Sequence, residues 1–174
     1  MKSENALMQG FLKVYVVNTS TGEKTCVSAK KNQITTVHLE VLAALITQKA
    51  AVADVTELAF NSMQIEASAT PFASGASASD TGPTGTVVKD YVFDRAADVD
   101  IDLGGISGLV QFRAEVGTGE ANGSTLRAAG IYTVSDGLAG AANELLVCRQ
   151  VYPAITKTAD LAISYVWDVQ YSIV

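Results

Sequence analysis

Three aspartates at alternate positions, Asp98, Asp100 and Asp102, come nearest in type and spacing to a chemical site. Alternate carboxylates can ligate calcium, but an EF-hand loop also needs Gly at its sixth position and Glu at its twelfth. Those positions hold Leu103 and Leu109 here, so the motif fails. The simpler expectation is a strand with Val99, Ile101 and Leu103 inward and the carboxylates in solvent, an alternation that also discourages edge-to-edge aggregation. Whether the three aspartates trap a cation at a subunit contact is left open. His38 is the single histidine, and no Gly-x-Ser-x-Gly elbow supplies it with a nucleophile. It is expected to be a structural histidine beside an apolar stripe. Gly117-Thr118-Gly119 lacks the Gly-Lys-Ser/Thr that completes a phosphate cradle, and no cysteine or histidine pair has zinc spacing. Acids such as Asp90 and Asp94 could be brought together by folding, as in any acidic chain. The expectation is no catalytic residue, no metal ligand, no cofactor and no enzyme activity.

The chemistry of the whole chain points the same way. Its 174 residues suit one domain. It is 48 % hydrophobic and only 17 % charged, against roughly 25 % charged in an ordinary soluble domain. A mean hydropathy of +0.24 hints that some apolar surface is covered by neighbouring subunits. The net charge of −6 argues against nucleic acid, which needs clustered Lys and Arg to displace phosphate counterions. Lys30-Lys31, the adjacent basic pair, reads as a solvated connection. No apolar run approaches the ~20 residues that cross a bilayer, and residues 1–5 lack the apolar core of a signal peptide. Synthesis in a host cytoplasm and no membrane insertion are expected. Cys26 and Cys148 fit reduced core thiols.

The elements that would position these residues are mostly strands. Residues 11–17 and 24–29 flank the turn Asn18-Thr19-Ser20-Thr21-Gly22 and predict a β-hairpin. Over residues 37–49 the period changes: Val37, Val41, Leu42, Leu45 and Ile46 share a stripe at helical spacing, which predicts one short α-helix packed on a sheet. Residues 55–65 predict another strand. Residues 70–86, rich in Ala, Ser, Gly, Thr and Pro, have too few large side chains to hold themselves down. They predict a linker, or an arm mobile in the free subunit and ordered by a neighbour.

The β core is expected over residues 87–174, with strands at 86–93, 99–103, 109–116, 126–134 and 145–152. In the last strand Leu161, Ile163, Tyr165, Trp167, Val169, Tyr171 and Ile173 alternate unbroken with smaller or more polar residues. Such alternation means a long antiparallel strand with one buried face. Many strands with turns at short intervals make a mainly β domain over residues 1–174: an antiparallel β-sandwich or jelly-roll-like barrel with one short helix.

From about residue 109 onward the chain resembles a family of small tailed-phage virion structural proteins. The resemblance is carried by Phe112-Arg113-Ala114-Glu115-Val116, by Asn122-Gly123, by Leu126-Arg127-Ala128-Ala129-Gly130-Ile131-Tyr132, by the run from Cys148 to Thr158, and by Ile163-Ser164-Tyr165-Val166-Trp167. It implies a virion location and a non-enzymatic role. The role is either capsid decoration (cement), which stabilises the shell, or a tail, baseplate or fibre-adaptor subunit. The partners it implies are other virion proteins, the major capsid protein or tail and baseplate subunits, with the chain itself a homo-oligomer. A carbohydrate-binding module is the rival from another class, because Trp167 or Tyr171 could stack on a sugar ring. Both residues fall on the apolar face of the last strand, which favours core packing.

Overall fold

The computed structural model describes residues 6–34, 60–72, 80–94, 96–102, 107–134 and 144–173. Every regular element among them is a strand: β1 (Ala6–Asn18), β2 (Lys24–Ile34), β3 (Phe60–Ala67), β4 (Thr86–Val92), β5 (Val99–Asp102), β6 (Ser107–Val116), β7 (Thr125–Val134), β8 (Glu144–Thr156) and β9 (Leu161–Ile173). The expected helix at 37–49, and His38 with it, lie outside the described residues.

The strands form two antiparallel sheets, and the molecule is a mainly β sandwich. One sheet runs β2-β1-β9-β6-β5 and the other β4-β3-β7-β8-β2. β2 belongs to both. Its first part pairs with β1 from Val17↔Lys24 to Gly10↔Asn32, and then Gln33 and Ile34 turn to pair with Arg149 and Cys148 of β8. At the opposite side the sheet ends also approach. Phe93, just after β4, packs on Phe112 of β6 with ring centroids 5.2 Å apart.

The hairpin that opens the fold is set by side-chain chemistry. Asn18 Oδ1 accepts the amides of Ser20 and Thr21, which mimics a backbone turn. Gly22 closes it at φ +73°, where an L side chain is rarely placed.

Register explains the core. Leu12, Trp167 and Phe112 lie abreast on β1, β9 and β6, as do Val14, Tyr165 and Ala114, then Val16, Ile163 and Val116. The facing sheet supplies Met63, Ile65, Leu126, Ala129, Ile131, Tyr152 and Ile155. Trp167 is fully enclosed, a position where truncation to alanine typically costs about 3–5 kcal/mol. Cys148 is buried as expected, but Cys26 is exposed on β2, its Sγ donating to the Ser28 carbonyl. Lys30 and Lys31 lie on β2 rather than in a connection, and both are exposed.

Several boundaries differ from the sequence expectation: β1 is already formed at Ala6 and β2 runs on to Ile34, against expected strands at 11–17 and 24–29. β3 is described over Phe60–Ala67 and runs two residues past the expected end at residue 65, while residues 55–59 lie outside the described residues. β8 continues past Pro153 to Thr156. Between the pairs Leu126↔Ile155 and Ala128↔Val151 the register slips, and Pro153 sits in that irregularity, where its missing N–H breaks no ladder bond.

Candidate docking edge

The outer sides of the two sheets differ in character. On the first sheet, the side turned away from the core carries a polar ladder across four strands. Lys13 Nζ donates to Asp168 Oδ2 at 2.6 Å, and Gln111 Nε2 to Asp168 Oδ1 at 2.7 Å. Arg113 then reaches both Gln111 and Asp100, each at 2.6 Å. The hydrogen bond to Asp168 raises the Lys13 pKa, so the ammonium stays charged.

On the second sheet the centre of the corresponding side is itself buried, and an ion pair occupies it. Glu66 on β3 and Arg149 on β8 are separated by β7, which places the small residues Ala128 and Gly130 between them. Arg149 donates through Nε to Glu66 Oε1 at 2.8 Å and through Nη2 to Oε2 at 2.9 Å. Both side chains are buried, at 2 % and 0 % exposure. Burial works against the guanidinium charge, but the bonds and charge of Glu66 outweigh it and raise the Arg149 pKa. Arg149 also contacts Asp80 at 3.3 Å and Thr84 Oγ1 at 2.6 Å, and it stacks over the Phe72 ring.

This pair anchors both feet of the small-residue excursion between β3 and β4. Glu66 Oε2 accepts the amides of Thr84 and Gly85, each at 3.0 Å. At the other foot, the Ser68 amide donates to the Thr125 carbonyl and Arg127 Nε to the Ser68 carbonyl, both at 3.0 Å. Gly85 is required by close approach: a Cβ there would stand 2.7 Å from the Ala67 carbonyl oxygen and 3.0 Å from the Phe72 ring. Residues 73–79 lie outside the described residues.

β4 leaves this anchor as the outermost strand of the second sheet. Its register sets Val87, Asp90 and Val92 opposite Glu66, Gln64 and Ser62, so all three face away from the core. Val87 and Val92 are the exposed large hydrophobic residues among the described ones, at 36 % and 58 %. An outermost strand with outward valines, fed by an anchored excursion, is chemically suited to protein contact.

Asp98 and Asp100, singled out by spacing, have separate partners. Asp98 accepts from Tyr91 OH at 3.1 Å and from the Asp94 amide at 2.8 Å, while Asp100 pairs with Arg113. Asp102 stands on β5 opposite Leu109. Among the described residues no group of three His, Cys, Asp or Glu side chains is placed to hold a metal ion. Trp167, offered as a sugar platform, is enclosed in the core, and Tyr171, further along β9, pairs in register with Met8 of β1 and Gly108 of β6.

One cluster carried no signal in the sequence. Lys157, in the β8–β9 turn, is fully buried, and its ammonium donates to the Thr158 carbonyl at 2.8 Å, Asn122 Oδ1 at 3.0 Å and the Thr118 carbonyl at 3.3 Å. Burial lowers its pKa, opposed by the charges of Glu120 and Asp160. Glu120, bound to Lys89 and to the Gly117 amide, has a lowered pKa for that reason. The Gly117–Gly119 turn is thus organised around Lys157 and Glu120. No protein-family model, curated protein or solved structure matches the chain.

Proposed function

We propose that this chain is a non-enzymatic structural subunit of a tailed-phage virion, a capsid decoration (cement) protein that docks on the major capsid protein and stiffens the shell. The observation that carries the docking part is β4, an outermost strand with Val87 and Val92 turned outward and exposed. The virion assignment rests on the resemblance of the strand and turn sequences from residue 109 onward. The sandwich suits a mechanical part, since its two sheets share β2 and its second sheet is buried on both sides around Glu66 and Arg149. Attachment would bury apolar side chains of the outer strand against the shell, and roughly 1,600 Å² of total buried surface is enough for a specific contact. Repetition over a closed shell multiplies modest contacts.

The test compares particles with and without the protein. Particles lacking it are expected to assemble but to release DNA at lower temperature or under milder osmotic shock. Refilling them with a Val87→Asp, Val92→Asp variant should give weak occupancy, although the isolated variant melts like the parent. Particles that keep full heat resistance yet fail to adsorb to the host would overturn the capsid reading in favour of a tail, baseplate or fibre adaptor. Hundreds of copies per particle fit decoration, and a few to a few dozen fit the adaptor.

A further inference from the structure

Lys157 and Asn122 are held together by more than one hydrogen bond. The backbone of the β8–β9 turn is laced to the loop after β6: the Gly123 amide donates to the Lys157 carbonyl at 2.9 Å, and the Lys157 amide donates to the Ser124 carbonyl at 3.0 Å. This fixes the two side chains side by side. The Asn122 carboxamide is oriented at both ends, with Nδ2 donating to the Thr118 carbonyl at 2.8 Å and Oδ1 accepting from Lys157 Nζ at 3.0 Å. Nζ itself reaches the same Thr118 carbonyl at 3.3 Å. The amine nitrogen and the carboxamide nitrogen therefore converge on one oxygen, with Cγ of Asn122 between them in the chain of bonds.

We propose that Lys157 and Asn122 join in an intramolecular isopeptide bond, Nζ to Cγ, with loss of ammonia. The bond that forms is Nζ–Cγ and the bond that breaks is Cγ–Nδ2. Nothing is oxidised or reduced. A lysine ammonium and a primary amide become a secondary amide and an ammonium ion: Nζ gives up two protons, the first to become the neutral amine and the second on forming the amide, and both leave on the former Nδ2. The nucleophile is the neutral amine, which burial of Lys157 favours. Holding the partners at contact replaces a bimolecular encounter, and well-oriented intramolecular reactions reach effective molarities of about 10⁵–10⁸ M.

Asn122-Gly123 has a competing reaction, attack on Cγ by the Gly123 backbone nitrogen to give a cyclic imide with the same loss of ammonia. The Gly123 N–H is committed to the Lys157 carbonyl and φ is +83° there, so that nitrogen is held in a different contact. The bond would tie the β6–β7 loop to the β8–β9 turn at one end of the sandwich. It stands whether or not the chain belongs to a virion.

Intact mass spectrometry of the denatured full-length protein tests it. The expected mass is one ammonia below that of the sequence, trypsin should fail to cut after Lys157, and fragmentation should give a branched peptide joining Asn122 to Lys157. Asn122→Ala, at an exposed turn position, should fold and return to its full calculated mass with cleavage after Lys157 restored. Full sequence mass in the parent after prolonged incubation at neutral and mildly alkaline pH would overturn the proposal. So would a deficit that survives in Lys157→Arg or is cleared by hydroxylamine, since both mark the cyclic imide.

Discussion

Tyr152 and Tyr165 meet inside the core, hydroxyl to hydroxyl at 2.8 Å, with Tyr152 also donating to the Ala128 carbonyl at 3.3 Å. Burial is the first cause that pushes both phenols above their ordinary range. In the unfolded chain each ionises near pH ~10, and in the fold only at higher pH. The unfolded state therefore sheds protons first, so stability is full below about pH 10 and falls as pH rises toward the folded values. Each phenol contributes a slope of at most ~1.4 kcal/mol per pH unit. Denaturant titrations at about pH 9 and about pH 11 should show the parent losing stability across that window. A Tyr152→Phe, Tyr165→Phe variant should lose distinctly less, because both partners are replaced together and no orphaned hydroxyl remains. Equal losses in the two proteins would mean that the phenols ionise freely in the fold.

The excursion between β3 and β4 is tied at its feet by partners distant in sequence. Its small, polar residues predict a mobile arm, and composition does not register that Glu66 holds the Thr84 and Gly85 amides while Arg149, 83 positions from Glu66, holds Glu66, Thr84 Oγ1 and Asp80. Replacing Arg149 by Met should strand the Glu66 charge in a buried site, a loss of about 3–5 kcal/mol. A charge-free Glu66→Gln, Arg149→Met pair should recover part of that. The informative readout is limited proteolysis: cleavage within residues 68–85 should speed up in both variants more than cleavage elsewhere. Uniform acceleration across the chain would show that the pair acts on global stability and does not anchor the feet. Other elements were readable for a local reason. β9 matches its expected bounds because period-two alternation needs no distant partner to be recognised. The expectation for β8 ends at residue 152, just before Pro153, and the slipped register against β7 lets the strand continue to Thr156. Lys157 left no mark, since an ammonium buried among carbonyls depends on a loop more than thirty residues earlier. Val87 and Val92 looked like ordinary strand residues, and only the strand order shows that they face out from an outermost strand.

At the scale of the molecule, the longest ladder joins β1 to β9, in unbroken register from Ala6↔Ile173 to Asn18↔Leu161. Both strands lie inside the first sheet, flanked by β2 and β6, and they carry Leu12, Val14, Tyr165 and Trp167 into the core. The β1–β2 hairpin can form early because its turn is local, but β1 cannot bury its other edge until the last described strand arrives. Closing so long a loop before its contacts form is an entropic cost, and dominance of distant pairings slows folding. Moving the chain break should remove that delay. In a circular permutant opened at the exposed Ala159–Asp160 turn, with a short flexible linker joining the original ends, β9 would precede β1 and the pair would become a hairpin. The β8–β9 link lost in exchange is a crossing between sheets rather than a ladder, so little pairing depends on it. Stopped-flow refolding should then be faster than in the parent, with the gain in the folding limb and the unfolding limb changed less. A permutant that folds to the same stability but more slowly would show that the β1–β9 ladder forms late and outside the rate-limiting step, and that the sandwich nucleates in the second sheet.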